Sequence, residues 1–257
     1  MPSLSGSSAI RARLAADRAW SAYALGDLAP GLSEYAEWYA APGDSPGLLM
    51  LFRSFATPVL FTIGPASALE GLLDEIQTEQ RLYLSILPDI LPLIQARYRV
   101  SELTLMWRMT LDAARFSPAP SAAVRLTLAD LPAIERLFAT GAVAGDAPDF
   151  FAPYMVEQGV YYGLYEADSL VATAGTHLLV PAEGVAAVGN VYTRRDRRGR
   201  GLATQVTASV VADVMQNSPT LDIIALNVKQ SNDAALRVYQ RLGFVRYCAF
   251  YEGMALV

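Results

Sequence analysis

Val191-Tyr192-Thr193-Arg194-Arg195-Asp196-Arg197-Arg198-Gly199-Arg200-Gly201-Leu202-Ala203-Thr204 joins the end of an apolar segment to the start of a periodic one through five arginines and two glycines. The segment before it, Val185 to Thr193, reads as a strand. Leu202, Val206, Val210 and Val214 after it predict a helix from Gly201 to about Gln216. A helix N-terminus presents unpaired N–H groups and a partial positive charge, and glycines there let an anion approach the main chain. Arg198-Gly199-Arg200-Gly201-Leu202-Ala203 therefore reads as a phosphate cradle, with the Thr204 hydroxyl as a further donor. A solvated arginine turn would look the same on composition alone. Two nucleotide-binding patterns fail: there is no Gly-Lys-Ser/Thr, and Gly199-x-Gly201 is followed by Thr204 where a dinucleotide fingerprint has a third glycine.

Upstream, Val124 to Leu126 reads as a short strand and Asp130 with Pro132 as a helix start, the helix carrying Leu131, Ile134, Leu137 and Phe138. A helical piece is expected from Pro148 to Glu157. Strands at Gly159–Glu166, Leu170–Val180 and Val185–Thr193 are joined so tightly that they must be antiparallel. If Val180 pairs with Val185 across the turn Pro181 to Gly184, Gly175 faces Asn190 and His177 faces Val188, which puts His177, Asn190 and Tyr192 on one face. Downstream come a strand at Leu221–Val228, a helix at Asn232–Leu242 closed by Gly243, and a strand at Val245–Val257. The stretch Ser117-Pro118-Ala119-Pro120-Ser121-Ala122-Ala123 reads as a linker, giving domains 1–116 and 124–257. In the first, Ser7 or Ser8 is expected to cap an opening helix and Ser67-Ala68-Leu69-Glu70 to form a capping box. Paired strands Leu48–Phe55 and Val59–Gly64, strand Leu82–Ile86, helix Asp89–Arg97 and strand Glu102–Leu111 follow the order of the second half: strand, strand, helix, strand, helix, strand. The fold class is α/β (α+β): a mixed, mainly antiparallel sheet flanked by helices.

The pattern Arg198-x-x-Gly201-x-Ala203 resembles the acyl-CoA loop of the GNAT N-acetyltransferase superfamily. Asn232-x-x-Ala235-x-x-x-Tyr239-x-x-x-Gly243-Phe244 resembles its second motif. The resemblance covers about half the chain, and the whole is similar to two-part, glycine N-acyltransferase-like members whose first half is a degenerate copy. It implies two GNAT-like halves, with acetyl-CoA as cosubstrate and transfer of an acetyl or short acyl group to an amine. Val191, Tyr192 and Thr193 would contact the pantetheine, an irregularity at Gly189-Asn190 opening the sheet to admit it. Arg198, Gly199, Arg200, Gly201, Leu202, Ala203 and Thr204 would hold the pyrophosphate, and Asn232 would contact the cofactor or cap its helix. Tyr239 would protonate the leaving thiolate. The strand Val185–Thr193 lacks the acidic residue common in the family, so His177, with Asn190 beside it, is the candidate for accepting the amine proton, and a relay through ordered water is the alternative. A non-catalytic acyl-CoA sensor or regulatory module is the rival reading.

Composition narrows the remaining classes. With 53% hydrophobic and 18% charged residues, 257 residues can pack one large or two small cores. One cysteine, Cys248, and one histidine exclude an internal disulfide and a Cys/His zinc cluster, and no metal is expected. A net charge of −5 argues against a nucleic-acid surface. The most apolar window, Leu170 to Tyr192, is broken by His177, Pro181 and Glu183, so no membrane span is expected. A cytoplasmic monomer or homodimer is the expectation.

Overall fold

The computed structural model describes residues 6–43, 45–76, 79–142, 145–148 and 150–257. In chain order these form α1 (Ser7–Leu14), α2 (Ala22–Gly26), β1 (Ala36–Ala40), β2 (Leu48–Phe52), β3 (Val59–Ile63), α3 (Ala66–Glu75), β4 (Arg81–Ile86), α4 (Leu91–Gln95) and β5 (Arg99–Leu111). There follow β6 (Val124–Arg125), α5 (Leu131–Ala142), α6 (Pro153–Gln158), β7 (Tyr161–Glu166), β8 (Ser169–Val180), β9 (Val185–Thr193), α7 (Leu202–Asn217), β10 (Ile223–Lys229), α8 (Asp233–Arg241) and β11 (Val245–Leu256). No helix among the described residues is long and apolar enough to cross a membrane.

Two compact units emerge. The first comprises 1–108, 228–231 and 246–257; the second comprises 109–227 and 232–245. In the first, the strand order is β1-β2-β3-β4-β11-β5. Antiparallel β2 and β3 lead through α3 to β4, which lies parallel to β3 with Val59, Leu60 and Phe61 opposite Tyr83, Leu84 and Ser85. A parallel neighbour needs a crossover, and α3 supplies it while burying Leu69, Leu72 and Leu73. In the second unit the order is β10-β9-β8-β7-β6. Here antiparallel β8 and β9 lead through α7 to parallel β10, Val185, Ala186 and Ala187 facing Ile223, Ile224 and Ala225. The two units thus repeat one element order and one pairing scheme.

Several expectations shift. The last strand does not pack with the residues that precede it: β11 pairs antiparallel with β4, Tyr251 to Leu256 opposite Ile86 to Arg81, and belongs to the first unit. Compactness therefore does not divide the chain at 117–123. No serine side chain caps α1, whose N-cap is Gly6, and the expected capping box at Ser67 does not form because α3 begins two residues earlier, with Pro65 as its N-cap. The box appears instead at Thr127 and Asp130, one turn before the expected start of α5. The helix expected from Pro148 begins only at Pro153, and Asp149 lies outside the described residues. Strand β1 was not foreseen; its Trp38 is core.

Because β11 sits between β4 and β5, deleting residues 245–257 would expose both strand edges and remove the buried Phe250 and Ala255. The truncated chain is expected to lose protection of β4 amides in hydrogen exchange, whereas β8 amides keep theirs.

Candidate active site

The site is built where β9 bulges against β8 and parts from β10. Toward β8 the ladder runs from Val180–Val185 through Leu178–Ala187, then skips His177 and resumes at Thr176–Val188 and Gly175–Gly189. It breaks again before Thr173–Tyr192, so Asn190 and Val191 oppose Ala174 alone. The register expected from the turn is correct at Val180 and fails beyond His177: Gly175 faces Gly189, and His177 has no residue across from it. Asn190 carries the bend with φ of 51°, a left-handed conformation that asparagine tolerates better than most residues. Toward β10 the pairing stops at Ala187, although β9 continues to Thr193. The main-chain edge from Val188 to Thr193 is left open on that side.

Side chains along this edge have separate tasks. Tyr192 is buried, its ring 6.1 Å from Phe138 and its hydroxyl 3.4 Å from Thr140 Oγ1. Asn190 is also buried and donates through Nδ2 to the Tyr161 hydroxyl at 2.7 Å and to Met155 Sδ at 3.6 Å. Burial raises the Tyr161 phenol, despite the hydrogen bond from Asn190. His177 lies over Gly189, where any Cβ would strike the imidazole, and meets the Phe150 ring edge-on at 6.4 Å. Burial lowers the His177 pKa below the usual histidine value, with the Asn190 side chain opposing the shift. The imidazole is therefore held neutral at neutral pH. His177 thus meets Phe150, Asn190 meets Met155 of α6 and Tyr192 meets Phe138 of α5.

At the end of β9, Arg194 to Gly201 lead into α7. Gly199 and Gly201 have φ of 78° and 76°, and a Cβ at either would meet open space. Gly201 is the N-cap, and no side chain caps the helix. The first-turn N–H groups of this 16-residue helix thus face outward beneath two bare glycines. Thr204 is buried in the first turn, while Leu202 and Ala203 are half-buried.

The five arginines do not stand free. Arg195 and Arg198 both bind Asp146 Oδ2, at 2.9 and 2.6 Å, and Arg198 Nε donates to the Thr193 carbonyl at 3.0 Å. Arg197 and Arg200 bind Glu166 at 2.6 and 2.9 Å, and Arg194 pairs with Asp196 at 2.8 Å. Burial disfavours the Asp146 carboxylate, but hydrogen bonds from Arg198 and then Arg195 outweigh it and hold the carboxyl below its usual range. The sequence reading did not find Asp146 and Glu166. Their pairs span 31 to 52 residues, and no local periodicity reports such contacts.

On α8, Asn232 acts as helix cap: its side chain accepts from Ala235 N at 3.1 Å. Tyr239 is 7% exposed, its ring 6.0 Å from Phe244, and α8 packs against α7. Cys248 belongs to the other unit; burial pushes its thiol up to about 11, so it is not a thiolate nucleophile at neutral pH.

Comparison with known proteins places this geometry. Residues 132–244 match the acetyltransferase (GNAT) family. N-alpha-acetyltransferase 30 of Schizosaccharomyces pombe is 40% identical over 58 residues, which is 23% of this chain and 37% of that protein. The matched stretch thus spans well under half of that relative's length. A GNAT-family structure from Novosphingobium aromaticivorans superposes with a TM-score of 0.62 at 23% identity, covering 91% of this chain and 96% of the other. A tandem GNAT protein from the clavulanic acid biosynthesis pathway gives 0.55 at 16% identity, covering 90% and 86%. Residues 132–244 thus match the acetyltransferase (GNAT) family, and over nine-tenths of its length the chain shares the fold of these solved structures.

Proposed function

We propose that the second unit transfers an acetyl or other short acyl group from acetyl-CoA to an amine. The observation that carries this reading is the open β9 edge, Val188 to Thr193, running directly into an uncapped, glycine-lined helix N-terminus. The edge suits the amides of a pantetheine arm, and the helix end suits a pyrophosphate. Acetyl-CoA supplies a thioester, an acetyl group already activated toward attack by an amine.

The chain's own groups would do the rest. Main-chain N–H groups from Gly199 to Thr204 would hold the phosphates. Arg195, Arg198 and Arg200 are each about half exposed in their ion pairs. Such surface pairs contribute little to stability, so a phosphate can displace a carboxylate from them at small cost. His177, neutral by burial, would accept the proton that the attacking nitrogen loses. Tyr239 would give its phenolic proton to the departing sulfur. Asn190 would act as a positioning residue, since its amide is already bonded to Tyr161 and Met155.

The first unit fits a degenerate copy of the two-part, glycine N-acyltransferase-like kind. Its β3 and α3 are joined by Gly64 and Pro65 alone, where the second unit has Arg194 to Gly201. A Cβ at Gly64 would strike the Gly47 backbone, so this turn is closed to an anion. One catalytic site per chain follows.

A valine at Gly201 would meet strain at positive φ and cover the cradle; the variant is expected to raise KM for acetyl-CoA about tenfold or more with a smaller change in kcat. Tyr239→Phe should lower kcat by about 100-fold in a thiol-release assay on an amine panel, with the dissociation constant of CoA within about twofold of wild type. Equal rates for Tyr239→Phe and wild type would remove the tyrosine from the chemistry. Tight CoA binding with no thiol release on any amine would favour the sensor reading. For His177 the sign is fixed by burial. Its pKa in the folded protein lies below 6.5, so kcat/KM should stay level through pH 7 and fall only at more acidic pH. His177→Ala should lower the plateau about 100-fold and abolish that acidic limb.

A further inference from the structure

We propose that Asp146 is a built-in stand-in for a phosphate: its carboxylate holds two arginines of the loop, must be displaced by an incoming phosphate-bearing donor, and returns to help expel CoA after transfer. This rests on the acyl-CoA reading of the second unit and adds an internal competitor to it. Asp146 lies between α5 and α6, and one of its oxygens, Oδ2, accepts from Arg195 Nε at 2.9 Å and from Arg198 Nη2 at 2.6 Å. A single anionic oxygen bridging two guanidinium groups is an arrangement that a phosphate oxygen can also adopt between arginines.

Such a carboxylate can position the arginines for a phosphate or compete with the phosphate for them. Contacts elsewhere decide between the two. Arg198 Nε also donates to the Thr193 carbonyl at 3.0 Å, and its Cζ lies 5.5 Å from the centre of the Tyr192 ring. Tyr192 is itself buried beside Phe138. Arg198 therefore keeps its direction when Asp146 lets go, and the carboxylate contributes occupancy more than orientation. The side chains of Arg195 and Arg198 are about half exposed and that of Asp146 is 25% exposed, so the exchange takes place at the surface without opening the core.

The competing carboxylate comes from an anchored turn. Asp146 N donates to the Gly141 carbonyl at 3.1 Å, at the end of α5, and Gly145 just before it has φ of 68°. A Cβ at Gly141 would strike the Tyr192 hydroxyl, so the end of α5 packs directly on β9. The main chain at Asp146 is thus tied to the strand that runs into the loop, and the side chain can swing back once a phosphate has left. Burial disfavours its charged form, but hydrogen bonds from Arg198 and then Arg195 outweigh this, so it competes as an anion at neutral pH. Asp196 provides an internal comparison: it carries the same charge in the same loop, yet its partners are Arg194 at 2.8 Å and Arg197 at 2.7 Å. Displacement from Arg195 and Arg198 and a simple change of net charge therefore predict different behaviour for the two carboxylates.

The test is CoA binding by the full chain, with calorimetry for affinity and stopped flow for dissociation. At ~50 mM salt Asp146→Asn should tighten CoA about fivefold, mainly through slower dissociation, and Asp146→Ala, the second variant, should do the same. The gain should shrink below about twofold at roughly 0.5 M salt. Pantetheine, which carries no phosphate, should gain nothing from either substitution. Asp196→Asn should change CoA affinity by less than about twofold. The inference is overturned if both Asp146 variants leave CoA affinity unchanged or weaken it, if pantetheine gains as much as CoA, or if Asp196→Asn tightens CoA equally. In each of those cases CoA binding by the wild type still supports the acyl-CoA reading. No CoA binding by the wild type would remove that reading and this inference together.

Discussion

The proposed acyl-CoA site in the second unit depends on β9 parting from β10 after three paired residues. A strand that stayed in register on both sides would have no free main-chain groups to offer. Two bulges accompany the parting, one on β8 at His177 and one further along the ladder on β9 at Asn190. Each increases the local twist, and the left-handed Asn190 turns β9 away from the plane of the sheet. The Asn190 amide fastens the bend to Tyr161 and Met155, so the irregularity is secured by buried hydrogen bonds. Bulge, open edge and glycine-lined helix end then follow one another along the chain from Asn190 to Leu202.

Electrostatics in the loop differ from what a count of arginines implies. Five cations gathered in seven residues would repel one another, and the fold answers with Asp146, Glu166 and Asp196. The pairs shape the loop, and five arginines against three carboxylates leave a net positive charge beside the partial charge of the helix N-terminus. An anion arriving there would then exchange with carboxylates already in place. The first unit shows what the architecture becomes without this loop. It keeps the parallel pair of strands and the crossover helix, but a two-residue turn replaces the arginine segment, and Gly64 is packed against Gly47.

Much of this was legible in the sequence because it is local. Val185 to Thr193 and Val245 to the C-terminus show their strand limits through apolar runs bounded by turn residues, and Gly201 marks the start of α7 to within one residue. The cradle is legible for the same reason, since glycines and a helix start lie side by side. His177's place across from β9 was misread by one position, because a bulge adds a residue without altering the apolar pattern. Asp146 and Glu166 were invisible: a lone acidic residue in a loop or at a strand end looks the same whether it is solvated or bonded to two arginines. The destination of β11 could not be read either, as an apolar strand carries no label for the edge it will join.

That destination has a consequence for how the first unit folds. Its sheet is interrupted between β4 and β5 until residues 246–257 arrive, so a core that includes Trp20, Phe250 and Arg108 depends on the last part of the chain. Contacts of this kind join residues more than 140 apart: Tyr83 to Glu252 and Asp17 to Tyr247. Closing such loops costs entropy before the contacts form, which favours late assembly of this unit. The second unit's segments, 109–227 and 232–245, are closer to continuous, so its parting strands and anion loop can form from nearer neighbours. Local contacts thus support the chemistry, while the unit without the loop relies on the most distant ones.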